Sequence, residues 1–288
     1  MSVAISRNQN SPDSVTLMRA IAVAHRRAQR AQTSSLIVSG ALAALSVLAA
    51  LVPSAATVIA LLGAAWAVIY SVLVVPWSYG GLRLAATLHE MFDVDLFELP
   101  WNPVMAGPRL STEKVSRLSR GFRGNEDELR DYYLVPDLPY PKDMLFCLEQ
   151  NLAWGPRVRR RYAYTLAYLA GVWCVAGVVV GFVRHLTVAD LIMVWFVPSL
   201  GLLLLCLDMY RTQIGAARER EIALNELRAR RAEPHVEEDW VAFARQLQDV
   251  IFQSRQRYPR VPHWFFRRFH DNDRTDLQLA MRQLEIGG

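Results

Sequence analysis

Charged residues are nearly absent from four stretches of this chain and crowded between them. The first apolar stretch covers residues 35–52 and the second 55–75, with Pro53-Ser54 between them. Each is roughly 18 to 21 residues, about 27–32 Å as helix, which matches a hydrocarbon core of about 30 Å. Read as one helix, the pair would reach about 60 Å, twice the bilayer, so a helical hairpin is predicted. The third stretch covers 164–183 and the fourth 189–210, with Arg184, His185 and Asp190 marking a short polar turn. Backbone in lipid must satisfy its own hydrogen bonds, so all four stretches are predicted to be spanning helices. The pattern divides the chain into a lead (1–34), a first hairpin (35–75), a middle region (76–161), a second hairpin (162–210) and a tail (211–288). A polar lead followed at once by two spans does not fit a cleaved signal peptide.

The polar segments carry a weaker helical pattern. Residues 82–91 extend the second span, Ser111 is placed to cap a short helix ending at Gly121, and Asp143 to cap another bearing Leu145 and Leu148 to Leu152. Pro100, Pro103, Pro108, Pro136, Pro139 and Pro141 interrupt the rest. In the tail, Pro234 breaks a polar helical stalk. Trp240, Phe243, Leu247, Val250 and Ile251 then recur at helical spacing, the mark of a packing face. Trp264, Phe265, Phe266 and Phe269 follow, mixed with Arg267 and Arg268. That cluster suits docking on the middle region, a headgroup surface or stacking on a base. The fold class expected is an all-α membrane protein: two transmembrane hairpins and a mainly helical domain built from the middle region and the tail.

Charge sets the orientation. The net charge is +5. Arg7, Arg19, Arg26, Arg27 and Arg30 lie in the lead, and Lys and Arg are frequent in the middle region and tail, whereas the two hairpin turns offer only Arg184. The positive-inside rule then puts both termini and the middle region in the cytoplasm. A basic balance of this origin needs no nucleic-acid polymer as partner. Cys147, Cys174 and Cys206 are scattered and have no disulfide or metal-ligand spacing, in keeping with a reducing compartment.

Within the spans, small residues recur four apart: Gly40 and Ala44, Gly63 and Ala67, Gly177 and Gly181. Such faces let helices approach closely, either inside one four-helix unit or between protomers of a homo-oligomer. Ionisable side chains are missing from the span centres, which argues against an ion-coupled transporter. A gated hole lined by small apolar residues remains compatible, and Pro198 is placed to kink the fourth span.

Catalytic constellations are not found: there is no phosphate loop, HExxH, GxSxG or CxxC. His89-Glu90 with Asp93 reads as polarity on a helix surface. The chain is expected not to be an enzyme and to need no cofactor or metal.

The polar segments carry a motif series. His89-Glu90-Met91-Phe92-Asp93 leads to Leu99-Pro100-Trp101-Asn102 and Asp131-Tyr132-Tyr133. Cys147-Leu148-Glu149-Gln150-Asn151-Leu152-Ala153-Trp154 follows, with Arg157, Arg160 and Tyr162. The tail adds Leu247-Gln248-Asp249, Arg255 and Pro259-Arg260-Val261-Pro262-His263-Trp264-Phe265. In content and order this resembles the SMODS-associated four-transmembrane effector family over nearly the whole chain. Tyr132, Leu148-Glu149 and Gly155 depart from that pattern, standing where it has Trp, Gln-Arg and Asp. The resemblance implies a pore-forming effector of CBASS-type anti-phage systems. A partner nucleotidyltransferase would make a cyclic oligonucleotide on infection, and the effector would then damage the inner membrane, its other partners being the bilayer and copies of itself. A phosphate ligand needs positive charge and directed donors. The nearest candidates are Arg157, Arg159, Arg160 and Arg161 with Asn151 and Trp154, though that basic run also serves orientation. Trp101 and Asn102 are further ligand candidates that read equally as a buried polar contact beside an aromatic core. Gly40, Gly63, Gly177 and Gly181 are the packing or oligomerisation candidates. The rival functions are a membrane scaffold recruiting a cytoplasmic partner and a small channel or transporter.

Overall fold

The structure is a computed structural model that describes residues 2–135, 138–232, 239–262 and 265. Its main helices are α1 (Ser2–Asn8), α2 (Pro12–Leu51), α3 (Pro53–Phe97), α4 (Pro103–Ala106), α5 (Thr112–Ser119), α6 (Lys142–Ala153), α7 (Pro156–Val183), α8 (Val188–Ala232) and α9 (Trp240–Arg257). No strand occurs among the described residues. Four of the helical segments are long and apolar enough to cross a membrane. Pro136, Pro234, His263 and, in the aromatic and basic cluster of the tail, Trp264, Phe266, Phe269, Arg267 and Arg268 lie outside the described residues.

The chain forms two compact units. An apolar unit comprises Arg27–Gly81 and Arg161–Ile214; a polar unit takes in the described parts of Met1–Arg26, Leu82–Arg160 and Gly215–Gly288.

In the apolar unit, glycines mark where helices touch. A Cβ on Gly63 would stand 2.3 Å from Cα of Pro198, so α3 and α8 meet backbone to backbone. A Cβ on Gly177 would strike the Trp195 ring, and one on Gly181 would meet Leu191 at 3.0 Å. Only Gly40 of the four has open space around it, with nothing within 4 Å. Two Trp–Ser bonds tie the helices together: Trp66 donates to Ser39 at 2.8 Å and Trp173 to Ser199 at 2.9 Å. Ile37, Leu61, Val72, Leu73, Val175 and Phe182 are exposed, as side chains facing hydrocarbon would be. Pro198 follows a π-helical turn over Ile192–Phe196, and Pro76 follows another over Tyr70–Val74. Each widened turn passes its hydrogen bond from Val197 to Ile192 or from Val75 to Tyr70, which helps the helix accommodate a proline that has no N–H.

In the polar unit, the lead, middle region and tail share one core. It includes Met18 and Ile21 of α2, Leu88, Phe92 and Phe97 of α3, and Val115 and Leu118 of α5. Met144, Leu148 and Leu152 of α6, Leu224 and Leu227 of α8, and Phe243, Leu247 and Ile251 of α9 complete it. The apolar stripe on α9 is therefore a packing face. Ser111 caps α5 by accepting from the Lys114 N–H. Asp143, expected to cap α6, sits inside its first turn instead; Pro141 takes the cap position, and the Asp143 carboxylate accepts from the Met144 N–H at 2.7 Å. Helix α6 ends at Gly155, whose φ of +98° lies in the left-handed region that favours glycine.

Candidate functional site

The polar unit contains a hydrogen-bonded network where a helix surface was expected. His89, Glu90 and Asp93 are buried, at 1%, 1% and 0% exposure. The expectation of surface polarity fails because α3 is covered here by other helices and its polar groups meet polar partners.

Helix α9 supplies many of those partners. Arg245, Gln248 and Arg255 donate to the two α3 carboxylates. Gln248 Nε2 reaches Glu90 at 2.8 Å and Asp93 at 3.0 Å, Arg245 pairs with Glu90, and Arg255 pairs with Asp93. The other Asp93 oxygen accepts from the Tyr133 hydroxyl at 2.7 Å. Tyr133 in turn accepts from Asn151, whose side-chain oxygen accepts from Arg255 at 3.1 Å. Burial, first of all, pushes the Tyr133 phenol well above its usual range, with Asp93 adding to it. Glu90 is raised by burial, against the pull of Arg245.

Arginines gather beside this network. Arg159 donates to the Pro259 carbonyl at 3.0 Å. Arg220 donates to Ser254 Oγ at 3.0 Å and to the carbonyls of Asn151 and Trp154 at 3.2 and 3.1 Å. Arg260 donates to His89 Nε2 at 3.2 Å. Burial lowers Arg159 to about 10, with Arg260 adding repulsion. Burial and then Arg159 and Arg255 lower Arg220 well below its ordinary value. Arg260 is lowered mainly by burial, and Arg255 repels it. Arg255 shows the opposite balance: burial works against its charge, but Asp93 outweighs that and holds its pKa up. Yet Arg220 is half-buried and Arg260 exposed. The two facts together describe a cationic cleft in which Arg220 is recessed and Arg260 meets water. Tyr132, 36% exposed, stands at its edge, its ring 5.7 Å from that of His89 and 5.8 Å from that of Phe92. The His89 and His25 rings pack edge to face at 5.6 Å.

Of the residues singled out in the sequence, Arg159, Asn151 and Trp154 come together here. Arg157 is exposed, Arg160 is exposed and pairs with Glu221, and Arg161 is exposed in the apolar unit. Trp101 donates to the Gly107 carbonyl at 2.9 Å and lies under the Arg109 guanidinium. Asn102 caps α4 through the Val104 and Met105 N–H groups and donates to Asp249, which also holds Arg245. Sequence reasoning did not assign Arg220, Arg255, Arg260, Gln248, His25 or Tyr132 to the site. The signal for several was present: His89, Asp93, Tyr132, Gln248, Arg255 and Arg260 all fall in the motif series.

Four spanning helices and a helical polar unit with a recessed cationic cleft define a multi-pass membrane protein whose polar part is built around charge. The sequence profile of the SMODS-associating 4TM effector domain matches residues 3–284, and the chain belongs to that family. It is 22% identical over 206 residues, 70% of each chain, to a protein of Bacillus cereus (strain VD146) named "Probable CBASS effector molecule". No solved structure matches the chain.

Proposed function

We propose that this effector acts in CBASS-type bacterial anti-phage defence and permeabilises the inner membrane when a cyclic oligonucleotide, made by a partner nucleotidyltransferase, reaches its polar unit. The observation that carries the reading is the charge of the cleft. Arg220 and Arg260 are held without a carboxylate partner among the described residues, which suits an anionic signal. The name of the Bacillus cereus relative supports the defence role. The distribution of Lys and Arg supports a cytoplasmic polar unit and cytoplasmic termini. The action is physical rather than catalytic: the Cys147 thiol, for example, is buried, and burial pushes its pKa up, away from nucleophilic use. Pore formation involves several copies of the chain.

The test is dye release. Protein reconstituted in liposomes is expected to release an entrapped dye when one member of a panel of cyclic di- and trinucleotides is added. Tight vesicles under every nucleotide, with a cytoplasmic protein captured instead, would overturn the pore in favour of a scaffold.

A further inference from the structure

The charges around the cleft do not balance. Asp93 answers Arg255, and Glu90 is engaged by Arg245 and Gln248. Among the described residues, Arg220 meets only a hydroxyl and two backbone carbonyls, and Arg260 only an imidazole. A guanidinium cannot shed its proton to relieve the cost, as a lysine could. A half-buried charge such as that of Arg220 is ordinarily paired, and the exposed guanidinium of Arg260 is open to a ligand beside it.

A second observation points the same way. Two buried imidazoles beside these arginines each have a nitrogen without a hydrogen-bond partner: Nε2 of His25 and Nδ1 of His89. Arg260 can only donate, so His89 Nε2 accepts and the neutral ring carries its proton on Nδ1. That N–H has no acceptor among the described residues. The cleft thus combines a recessed and an exposed guanidinium, an unanswered imidazole N–H and an exposed aromatic ring at its edge. A phosphodiester supplies oxygen acceptors and negative charge, and a nucleobase supplies a face for the ring.

We infer that Arg220 and Arg260, with the imidazoles of His25 and His89, bind a phosphodiester of the activating oligonucleotide, and that Tyr132 stacks on one of its bases. This rests on the functional reading above and adds where the signal is read. A phosphodiester also occurs in an anionic lipid headgroup, so the experiment separates the two sources.

Full-length protein in phosphatidylcholine nanodiscs is titrated with cyclic di-AMP, cyclic di-GMP, cyclic GMP–AMP, cyclic tri-AMP, inorganic phosphate and short-chain phosphatidylglycerol. Arg220→Gln and Arg260→Gln are each expected to weaken the nucleotide that binds at least tenfold. Tyr132→Ala should weaken that nucleotide but leave inorganic phosphate unchanged. Arg19→Gln, which removes an exposed pair with Glu126, should change neither. Arg220 also holds two carbonyls near the end of α6, so Arg220→Lys serves if the Gln variant fails to fold. Arg260→Gln is expected to fold with an unaltered circular dichroism spectrum, since it breaks no ion pair among the described residues. Wild-type affinity in both arginine variants, with dye release intact, overturns the site and leaves the proposed function standing. Binding of phosphatidylglycerol alone overturns the nucleotide assignment. Neither binding nor dye release with any nucleotide overturns both.

Discussion

Asp93 and Arg255, 162 residues apart in the chain, form an ion pair in which the acid is fully buried and the arginine side chain is 8% exposed. The pair joins α3 to α9; Tyr133 and Gln248 donate to Asp93, and Asn151 accepts from Arg255. Removing one member of a buried pair leaves the other as an unanswered charge, which costs about 3–5 kcal/mol. Asp93→Asn should therefore destabilise the polar unit by that order in denaturant unfolding followed by tryptophan fluorescence. Arg255→Met in the same chain should recover part of the loss. A single variant within about 1 kcal/mol of wild type would show that the network does not depend on this charge.

Gly63 and Gly40 make a contrasting pair. Alanine at 63 would put a methyl 2.3 Å from the Pro198 backbone, whereas at 40 it meets nothing within 4 Å. Gly63→Ala should force α3 and α8 apart and cost about 1–3 kcal/mol, the usual range for overpacking. Gly40→Ala should be tolerated. Thermal unfolding in detergent, read by circular dichroism, compares them; equal midpoints would contradict the packing described.

These two sites show how unevenly the sequence can be read. The four spans were legible because each is a long uncharged run whose length matches a bilayer. Gly63, Gly177 and Gly181 were legible as packing positions, but spacing alone could not say that their partners are Pro198, Trp195 and Leu191 of the same chain. The cleft was far less legible. Arg159, Asn151 and Trp154 stood out because they lie together in sequence, whereas Arg220, Arg255 and Arg260 reach the same place from α8, α9 and the segment after it. His89, Glu90 and Asp93 were misread as surface polarity. Polar residues on an amphipathic helix look exposed until the tertiary partners that satisfy them are known.

The imidazoles give the polar unit a pH dependence with a definite sign. Burial, then repulsion from Arg260 and Arg255, lowers His25 well below its ordinary value. Burial, Arg255, Arg260, His25 and Arg220 lower His89. Tyr132 is the other titratable ring against His89, and Asp93 and Glu90 are the acids of the adjoining network. In the folded protein both imidazoles resist protonation, while in the unfolded chain they take protons below about pH 6.5. Their contribution is thus fully present above that pH and is lost as pH falls towards their folded values. Two such groups give a slope of up to about 2.7 kcal/mol per pH unit. Glu90 acts in the opposite sense. Raised by burial, its contribution is fully present below its unfolded value near 4.5 and is lost as pH rises through the folded one. Across the span where the two overlap, Glu90 therefore offsets part of the imidazole slope. Denaturant midpoints from pH 8 to 5 should fall, and His89→Gln should flatten the slope by about half. A flat wild-type profile would contradict burial of neutral imidazoles.

Glu149 offers a charge-reversal test. It is 4% exposed at its side chain and accepts from Arg228 Nε at 2.8 Å and from Arg231, both on α8. Arginine at position 149 would bring a third cation against two others, at a buried position whose partners Arg228 and Arg231 are 50% and 33% exposed at their side chains. Glu149→Arg is therefore expected to destabilise the polar unit by about 2–3 kcal/mol, through repulsion between cations that are only partly screened by water. Glu149→Gln keeps an acceptor and should cost about 1–2 kcal/mol. Reversing Arg228 and Arg231 to glutamate in the Glu149→Arg chain restores opposite charges across the contact and should recover most of the loss, as read by the denaturant midpoint at pH 7.5. Raising the salt concentration should help the reversed single variant in part, because Arg228 and Arg231 reach water while position 149 does not. Full recovery by salt alone would mean that Glu149 is reached by water and that its two arginines form an ordinary surface contact.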